Sequence, residues 1–298
     1  MHAACLPVAA LAPDVTSLFV AAVALGLGRG AISAALNAEG AELERASGRR
    51  ILGSFHALYS LGSLTGAGVG GVIAERGVAP VLHLGLAAAI VALAVVVLRD
   101  GPAREPDLRP APVRPEGEPG RGRLAPVALI AFVALFGQSA CGDWSAIFLR
   151  DVAHVSPGVA AAGYGAYALS MIVVRLVGDR IAGAIGEVRV VRYGAALAGT
   201  GIMLALALPG AVTGAAGFAA VGGGSAVVLP IALRSAGRGA RAVTTAGAAG
   251  FLGSLVGPLV IGASAAALGV RVALGWVVVS SVVLAVLAPA VRRAHAWL

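Results

Sequence analysis

The sequence predicts an all-α, polytopic helical membrane protein, on the basis of its apolar runs, its composition and its arginine distribution. It contains nine apolar runs, each close to the roughly 20 helical residues that cross the hydrocarbon core of a bilayer. Of its 298 residues, 59% are hydrophobic and only 12% are charged, whereas a soluble domain is about one quarter charged. The runs do not alternate polar and apolar residues, which excludes a transmembrane β-barrel.

The nine predicted spans divide unequally around a polar segment. Residues 100–124 are rich in Pro, Arg, Glu and Gly and have no apolar period, which predicts a cytoplasmic linker. Around it we predict a partial N-terminal transmembrane bundle at 1–99 and a six-helix C-terminal transmembrane bundle at 125–298. An apolar stub from Cys5 to Ala12 is too short to cross. The predicted spans are 15–36, 54–74, 79–98, 125–148, 157–177, 190–208, 211–233, 243–267 and 270–291.

The arginine distribution predicts the orientation. All 22 basic residues are Arg, and 17 of them fall in alternate loops or tails, against three in the opposite loops. Such a bias follows the positive-inside rule, so we expect a multi-pass protein of the plasma membrane with a cytoplasmic C-terminus. The net charge of +8 therefore reflects topology, and no nucleic-acid partner is expected.

The sequence also argues against enzymatic and metal-binding classes. It shows no nucleophile–base pairing and no metal-ligand spacing, and its two cysteines, Cys5 and Cys141, form no recognisable pair. We therefore expect no catalytic residue, no metal and no cofactor. The N-terminus lacks a basic segment before its apolar stub, so a signal peptide is not expected.

An internal repeat links the two halves. Residues 61–71 (LGSLTGAGVGG) and 252–262 (LGSLVGPLVIG) agree at seven of eleven positions, although low-complexity Gly and Ala sequence inflates such matches. Each copy lies in the second-to-last span of its half, and parallel repeats of this kind build several transporter folds. Small residues let helices approach closely in lipid, so the repeat predicts helix-packing positions at Gly62, Gly66, Gly70, Gly253, Gly257 and Pro258. Pro230 and Pro258 are expected to bend their helices.

A charged loop after the fifth span carries a family resemblance. Gly178, Asp179 and Arg180, followed by Gly186 and Arg189, resemble the Gly-x-x-x-Asp-Arg-x-x-Gly-Arg loop of the major facilitator superfamily. Further similarity covers residues 36–40, 54–62, 143–151 and 247–258. In order and spacing these segments resemble the bacterial fucose-permease-like branch of that superfamily.

The resemblance implies a major-facilitator-type fold with about nine transmembrane helices. The family has twelve helices in two six-helix bundles, and this sequence resembles it from inside the third helix onward. We therefore expect an N-terminally truncated member, with an incomplete N-terminal bundle and a complete six-helix C-terminal bundle. The implied function is secondary active transport of a small solute, sugar-like or another small organic compound, by alternating access. The alternative is a non-transporting truncated remnant, scaffold or sensor.

Two departures from the family leave the coupling ion open. The family often has an acid where Ser33 stands, and another where Gln138 stands, five residues before Asp143. Buried acids in transporters often carry protons because burial raises their pKa. The expected partners are the lipid bilayer and a small-molecule solute, with a proton or another coupling ion left open and the oligomeric state unassigned.

Eight polar or aromatic residues within or near the spans are candidates for the substrate pathway. A mid-span Arg is costly unless it faces a cavity or a partner, and an aromatic side chain can stack on a sugar ring. Each has a structural alternative, namely a snorkelling Arg, an interfacial Trp or a polar contact between helices. The candidates are Arg29, Asn37, His56, Gln138, Asp143, Trp144, Tyr164 and Tyr167.

The charged loop is the candidate gate. Asp179 at a helix end can pair with Arg on a neighbouring helix and so hold one conformation of a rocking protein. Arg175 lies one turn before it, on the same helix face, which favours a structural and gating role for Arg175 over a substrate contact. The alternative is an ordinary helix-end charge cluster. The gating candidates are Arg175, Gly178, Asp179, Arg180, Gly186 and Arg189.

Overall fold

The computed structural model describes residues 3, 5–47, 52–98, 121–236 and 240–291. These residues form α-helices, with a 3₁₀ turn at Ala288–Val291 and no strand among them. The helices are α1 (Cys5–Ala10), α2 (Val15–Ser47), α3 (Leu52–Glu75), α4 (Pro80–Leu98), α5 (Arg121–Asp151), α6 (Pro157–Ile185), α7 (Glu187–Ala207), α8 (Ala211–Ser225), α9 (Val228–Ser235), α10 (Ala240–Leu268), α11 (Val270–Ala273) and α12 (Gly275–Leu287).

The predicted fold class, an all-α polytopic membrane protein, is confirmed. Within the described residues, eight helical segments are long and apolar enough to cross a membrane. They correspond to eight of the nine predicted spans. The remaining predicted span, 54–74, lies in α3, which has 24 residues and is therefore about 36 Å long at 1.5 Å per residue.

The described helices fall into two compact units, of which the first holds α1, α2, α4 and both ends of α3. Within it, α1 packs against α2 and α4. The start of α2 is fixed by a reciprocal cap, in which the Ser17 N–H donates to Asp14 Oδ1 at 2.7 Å and the Asp14 N–H donates to Ser17 Oγ at 3.2 Å. This cap satisfies backbone donors that a helix end otherwise leaves without partners.

The second unit holds Ser63–Gly71 and α5 to α12. In it α5 is central, because it contacts α6, α8, α9, α10 and α12. The rings of Phe148 on α5 and Phe218 on α8 are fully buried and meet edge to face, with centroids 5.7 Å apart. Lipid tails give helices no hydrophobic reason to associate, so close packing of this kind stabilises the unit. Of the predicted linker, the described part begins only at Arg121, the first residue of α5.

The turn between α6 and α7 is a single glycine. Gly186 has φ = 86° and ψ = 148°, and its N–H donates to the carbonyl of Ala182 at 3.0 Å. A side chain at this φ would crowd its own backbone, so only glycine adopts it readily. The two helices can therefore reverse direction without a loop, which places their charged ends side by side.

One predicted span, 211–233, is interrupted. It forms α8 and α9, with Ala226 and Val227 between them. Pro230 explains the position of the break, because proline has no N–H and cannot donate to the carbonyl four residues earlier, that of Ala226. The interruption leaves a backbone acceptor exposed inside the bundle, and the candidate site is built around it.

Candidate functional site

The interior of the second unit contains a hydrogen-bonded connection centred on Gln138. Its side-chain Nε2 donates to the carbonyl of Ser225, the last residue of α8, at 2.9 Å. Its own backbone carbonyl accepts the Tyr167 hydroxyl at 2.8 Å. Gln138 is only 7% exposed and Tyr167 only 6%. Polar groups buried this deeply need partners, and this pair joins α5, α6 and α8 at one level.

The break in the α8–α9 span supplies a second polar contact, to Arg175. The Nε of Arg175 on α6 donates to the carbonyl of Ala226 at 3.3 Å, the acceptor that Pro230 leaves without its helical donor. Two consecutive carbonyls at the break, those of Ser225 and Ala226, therefore accept hydrogen bonds from side chains of α5 and α6. We call Gln138, Tyr167, Arg175 and the carbonyls of Ser225 and Ala226 the break cluster.

Close helix packing brings α6 to the break. A Cβ at Gly178 would collide with the side chain of Val227, and a Cβ at Gly222 would collide with the carbonyl of Tyr167. These glycines allow α6 and α8 to approach closely enough for Arg175 to reach Ala226. Gly178 is a predicted gating residue, and the residue it lies against, Val227, is at the break between α8 and α9.

A small cavity of about 10 Å³ adjoins the break cluster. Its polar lining consists of Gln138, Ser225, Ser280 and Ser281. A polar cavity of this size can hold about one water molecule. The hydroxyls of Ser280 and Ser281 donate to the carbonyls of Trp276 and Val277 in their own helix.

Of the other predicted pathway residues of α5 and α6, Tyr164 lies beside a member of this cluster. Tyr164 and Tyr167 stack obliquely, with ring centroids 6.1 Å apart. Asp143 is exposed. Trp144 is partly buried, and its ring edge lies 3.3 Å from where a Cβ on Gly262 would stand. The Trp144 ring therefore packs against α10.

In the first unit, Arg29 bonds a neutral partner. Its Nη2 donates to the hydroxyl of Tyr59 on α3 at 2.5 Å, and its guanidinium lies 5.8 Å from the centroid of that ring. An arginine over an aromatic face gains a cation–π attraction. The side chains of Asn37 and His56, also predicted for the pathway, lie outside the described residues.

The charged loop forms an ion cluster whose centre is Arg234 on α9. Arg234 Nη1 lies 3.2 Å from Asp179 Oδ1, and Arg234 Nε lies 3.5 Å from Glu187 Oε1. A cavity of about 850 Å³, also lined by Arg189 and Arg192, opens beside this cluster. The three charged groups join the end of α6, the start of α7 and the end of α9.

Other predicted gating residues have mainly local contacts. Arg189 Nη1 donates to the carbonyl of Ile185 at 3.5 Å, at the limit of a hydrogen bond. Arg180 is exposed. The described partner of Arg175 is the Ala226 carbonyl, while Asp179 pairs with Arg234, so the two residues expected to share a face have different partners.

The two copies of the repeat have different surroundings. In α10, a Cβ at Gly253 would collide with the Phe132 carbonyl of α5, and a Cβ at Gly257 would lie 2.5 Å from the Phe136 carbonyl. In α3, a Cβ at Gly62, Gly66 or Gly70 would meet no described atom within 4 Å. Pro258 lies inside α10.

Sequence reasoning missed the partners that complete these contacts. Ser225 and Ala226 contribute backbone carbonyls, which no residue-type search detects. The signal that could have found them is Pro230, whose missing N–H identifies the Ala226 carbonyl four residues earlier. Glu187 directly follows Gly186, so the same charged loop could have identified it as a further gating candidate.

Comparison of the sequence with known protein families identifies the family of this chain. Residues 2–241 match the family described as the Major Facilitator Superfamily. The chain belongs to the major facilitator superfamily. Its curated relatives support this membership. It is 32% identical to an uncharacterised MFS-type transporter of Yersinia pestis over 303 residues, covering 97% of this chain and 76% of that protein.

Two further relatives of this superfamily member come from rhizobia. An uncharacterised transporter of Sinorhizobium fredii is 30% identical, with 95% of this chain and 76% of that protein covered. The membrane protein MosC of Rhizobium meliloti is 30% identical, with 92% and 68% covered. The family transports small solutes across membranes, so this chain is a multi-pass membrane protein of a transporter family and not an enzyme.

A solved structure shares the fold. The crystal structure of the MFS transporter FucP in its outward conformation matches with a TM-score of 0.54 and 15% sequence identity. The match covers 98% of this chain and 80% of that one. This likeness confirms the major-facilitator-type fold.

Proposed function

We propose that this protein is a secondary active transporter that moves a small organic solute across the plasma membrane by alternating access. The observation that carries the proposal is the break cluster, which places polar side chains and two backbone carbonyls inside a membrane-spanning bundle. Irregular backbone at membrane depth is tolerated where it is buried in protein or lines a water-filled cavity, and transporters use such interruptions at their binding sites.

The polar groups fit solute binding better than metal or redox chemistry. Gln138 and Arg175 keep N–H groups that the described contacts do not use, and Tyr167 has an aromatic ring; these suit the oxygens and the apolar face of a small organic compound. No group of three or more metal-ligating side chains occurs among the described residues. In this proposal the pathway candidates Asp143, Trp144 and Tyr164 extend the cluster along the outer halves of α5 and α6.

The ion cluster fits a role in the conformational change. Arg234, Asp179 and Glu187 join three helix ends, and each pair is partly open to water. Exposed ion pairs contribute little stability and are therefore inexpensive to break and remake. We assign this cluster the role of a latch, with Gly186 as the turn that brings α6 and α7 together. The coupling ion stays open between a proton and another ion, because Gln138 stands where the family often has an acid.

Transport by the purified 298-residue chain in proteoliposomes tests the proposal. The probes are radiolabelled fucose, glucose, glucuronate and lactate, each with and without a pH gradient. We expect saturable uptake of at least one probe, and faster efflux of the labelled probe when the unlabelled compound is present outside. Such exchange stimulation distinguishes a carrier from an open pore. Protein-free liposomes are the control.

The alternative function makes the opposite prediction. A scaffold, sensor or non-transporting remnant would take up none of the probes above the protein-free control. Uptake that rises linearly with concentration and shows no exchange stimulation would also contradict alternating access. A pH gradient that changes no rate would contradict proton coupling while leaving the carrier itself supported.

A further inference from the structure

Arg175 is a permanent cation held inside the membrane-spanning part of α6. Met171 is the middle residue of that 29-residue helix, and Arg175 follows it by about 6 Å along the axis. Arginine keeps its proton at every physiological pH. A charge at this depth is costly unless it faces water, a partner or a ligand.

The side chain does not escape toward the membrane surface. Arg175 lies ten residues before the end of α6, and its hydrogen-bond partner Ala226 lies nine residues before the end of α9. Both positions are about 14–15 Å from the corresponding helix ends. Its Nε is therefore bound well inside both helices, whereas a snorkelling arginine would reach toward the membrane surface.

Arg175 also points away from the apolar exposed face of α6. Leu169, Val173 and Leu176 are each more than 50% exposed and share one helix face, as expected for a surface against lipid. At roughly 100° per residue, Arg175 is turned about 100–160° from these three residues and lies within about 20° of Tyr164. Arg175 is itself exposed, so its open side faces the same direction as a predicted pathway residue.

The described contacts leave its charge without an acid. The Ala226 carbonyl is neutral, and the nearest acid along the chain, Asp179, pairs with Arg234 at 3.2 Å. With Nε occupied, the two terminal nitrogens, Nη1 and Nη2, have no hydrogen-bond partner among the described residues. Together they form a planar fork that matches the two oxygens of a carboxylate.

We propose that the transported solute is a small organic anion whose carboxylate is bound end-on by Nη1 and Nη2 of Arg175. This inference rests on the proposed transport function and specifies its substrate class. The Ala226 carbonyl fixes the guanidinium plane through Nε, so Pro230 positions the binding group from the neighbouring span. Tyr164 lies on the same side of α6, about 16 Å from Arg175 along the helix axis, where its ring can line the route of the solute to Arg175.

Matched acid and neutral probes test the charge requirement. Proteoliposomes containing the full chain are supplied with labelled D-glucuronate or D-glucose, and with labelled lactate or propane-1,2-diol. We expect uptake of at least one acid and none of its neutral counterpart. Arg175→Gln should reduce that uptake by about tenfold or more, because a charge-assisted bidentate contact is lost. Arg150→Gln is the matched control, because Arg150 pairs with the adjacent Asp151 at a helix end.

A second variant keeps the test valid if Arg175→Gln does not fold. Arg175→Lys retains the positive charge but not the fork, so it should keep the preference for acids and raise KM for the acid several-fold. Size-exclusion chromatography identifies folded variants. Wild-type KM in Arg175→Lys, or undiminished acid uptake in a folded Arg175→Gln, would overturn the proposal.

The outcomes separate this inference from the transport function. Uptake of neutral probes with exclusion of the acids would support transport and overturn the anion proposal. Absence of uptake for every probe would contradict the transport function, and the anion proposal with it.

Discussion

Gln138 shows how one polar side chain can connect a membrane bundle. Its Nε2 bonds the Ser225 carbonyl across 87 positions of sequence, while its backbone carbonyl accepts the Tyr167 hydroxyl. In a bilayer interior, bulk water is not available to replace a lost protein partner. The same residue is a pathway candidate, so its structural and functional roles need separate measurements.

Replacing Gln138 tests the structural role. Gln138→Leu keeps a similar volume but leaves the Ser225 carbonyl without its side-chain donor, so we expect a loss of about 1–2 kcal/mol in the free energy of unfolding. The measurement is reversible unfolding in mixed detergent micelles. Ser281→Ala is the control, because the hydrogen bond of the Ser281 hydroxyl among the described residues stays within its own helix, at the Val277 carbonyl. Equal stability of Gln138→Leu and wild type would contradict the assigned contact.

Asp14 gives a pH-dependent prediction at the start of α2. Hydrogen bonds from the Ser17 backbone N–H and hydroxyl hold the pKa of Asp14 below its ordinary value of 3.8. The ionised carboxylate therefore stabilises the helix end above the ordinary pKa, and this contribution is lost as the pH falls through the lower folded value. The amide resonance of Ser17, followed by NMR in nanodiscs, should titrate with a midpoint below 3.8.

An uncharged cap provides the control for Asp14. Asparagine caps helices about as well as aspartate, so in Asp14→Asn the Ser17 amide should show no titration in this range. A Ser17 midpoint at or above 3.8 in the wild type would show that the carboxylate is not stabilised by the cap.

At the scale of helices, the α5–α10 contact depends on the absence of side chains. Gly253 and Gly257 lie against the Phe132 and Phe136 carbonyls, which belong to a helix backbone and cannot rotate away. Small residues at such positions let two helices approach to backbone contact, where weak C–H···O contacts also form. In its second copy the repeat therefore lies where a side chain would not fit, which supports the packing role predicted for it.

The repeat supplies its own matched control. Gly253→Ala forces a methyl group into the Phe132 carbonyl, so we expect destabilisation of about 1–3 kcal/mol. Gly62→Ala occupies the equivalent repeat position in α3, where no described atom lies within 4 Å, and alanine is the better helix former. We expect it to be neutral or slightly stabilising. Thermal unfolding of both variants in detergent makes the comparison, and similar losses would contradict the packing assignment.

The position of the α8–α9 break could be predicted from the sequence of its own span, but the partners of its carbonyls could not. Pro230 was expected to bend its span, and its missing N–H places the interruption four residues earlier. Which side chains would bond the released carbonyls was not predictable from that span, because Gln138 and Arg175 come from other helices. A local signal thus gave the position of the irregularity, while helix packing determined its partners.

At the scale of the molecule, span positions were predictable because hydropathy is a property of each segment alone. The all-α class and the superfamily followed from these spans and from the loop around Asp179. The partner of Asp179 did not follow, because Arg234 lies 55 positions away along the chain and reaches Asp179 only through the packing of α6 and α9. The predicted roles of Asn37 and His56 stay predictions, since their side chains lie outside the described residues.

The orientation in the membrane is a prediction about the whole molecule. The 17-to-3 division of loop arginines places the α6–α7 turn inside the cell and the α5–α6 loop outside. Two exposed positions suit cysteine labelling: Ser156, whose side chain makes no cap hydrogen bond, and Gly183, where an added Cβ meets no described atom. Both are introduced in a Cys5→Ser background, because Cys5 is partly exposed and could react with the label. The native Cys141 can stay, because it is fully buried.

A membrane-impermeant maleimide applied to intact cells should label Ser156→Cys and leave Gly183→Cys unlabelled. After the membrane is opened, both variants should react, which shows that Gly183→Cys is accessible once the reagent can reach its side. The parent Cys5→Ser protein should remain unlabelled in both conditions. The reverse pattern would contradict the cytoplasmic C-terminus. It would also place the ion cluster around Arg234 on the outer face of the membrane, opposite to the side that the arginine distribution predicts.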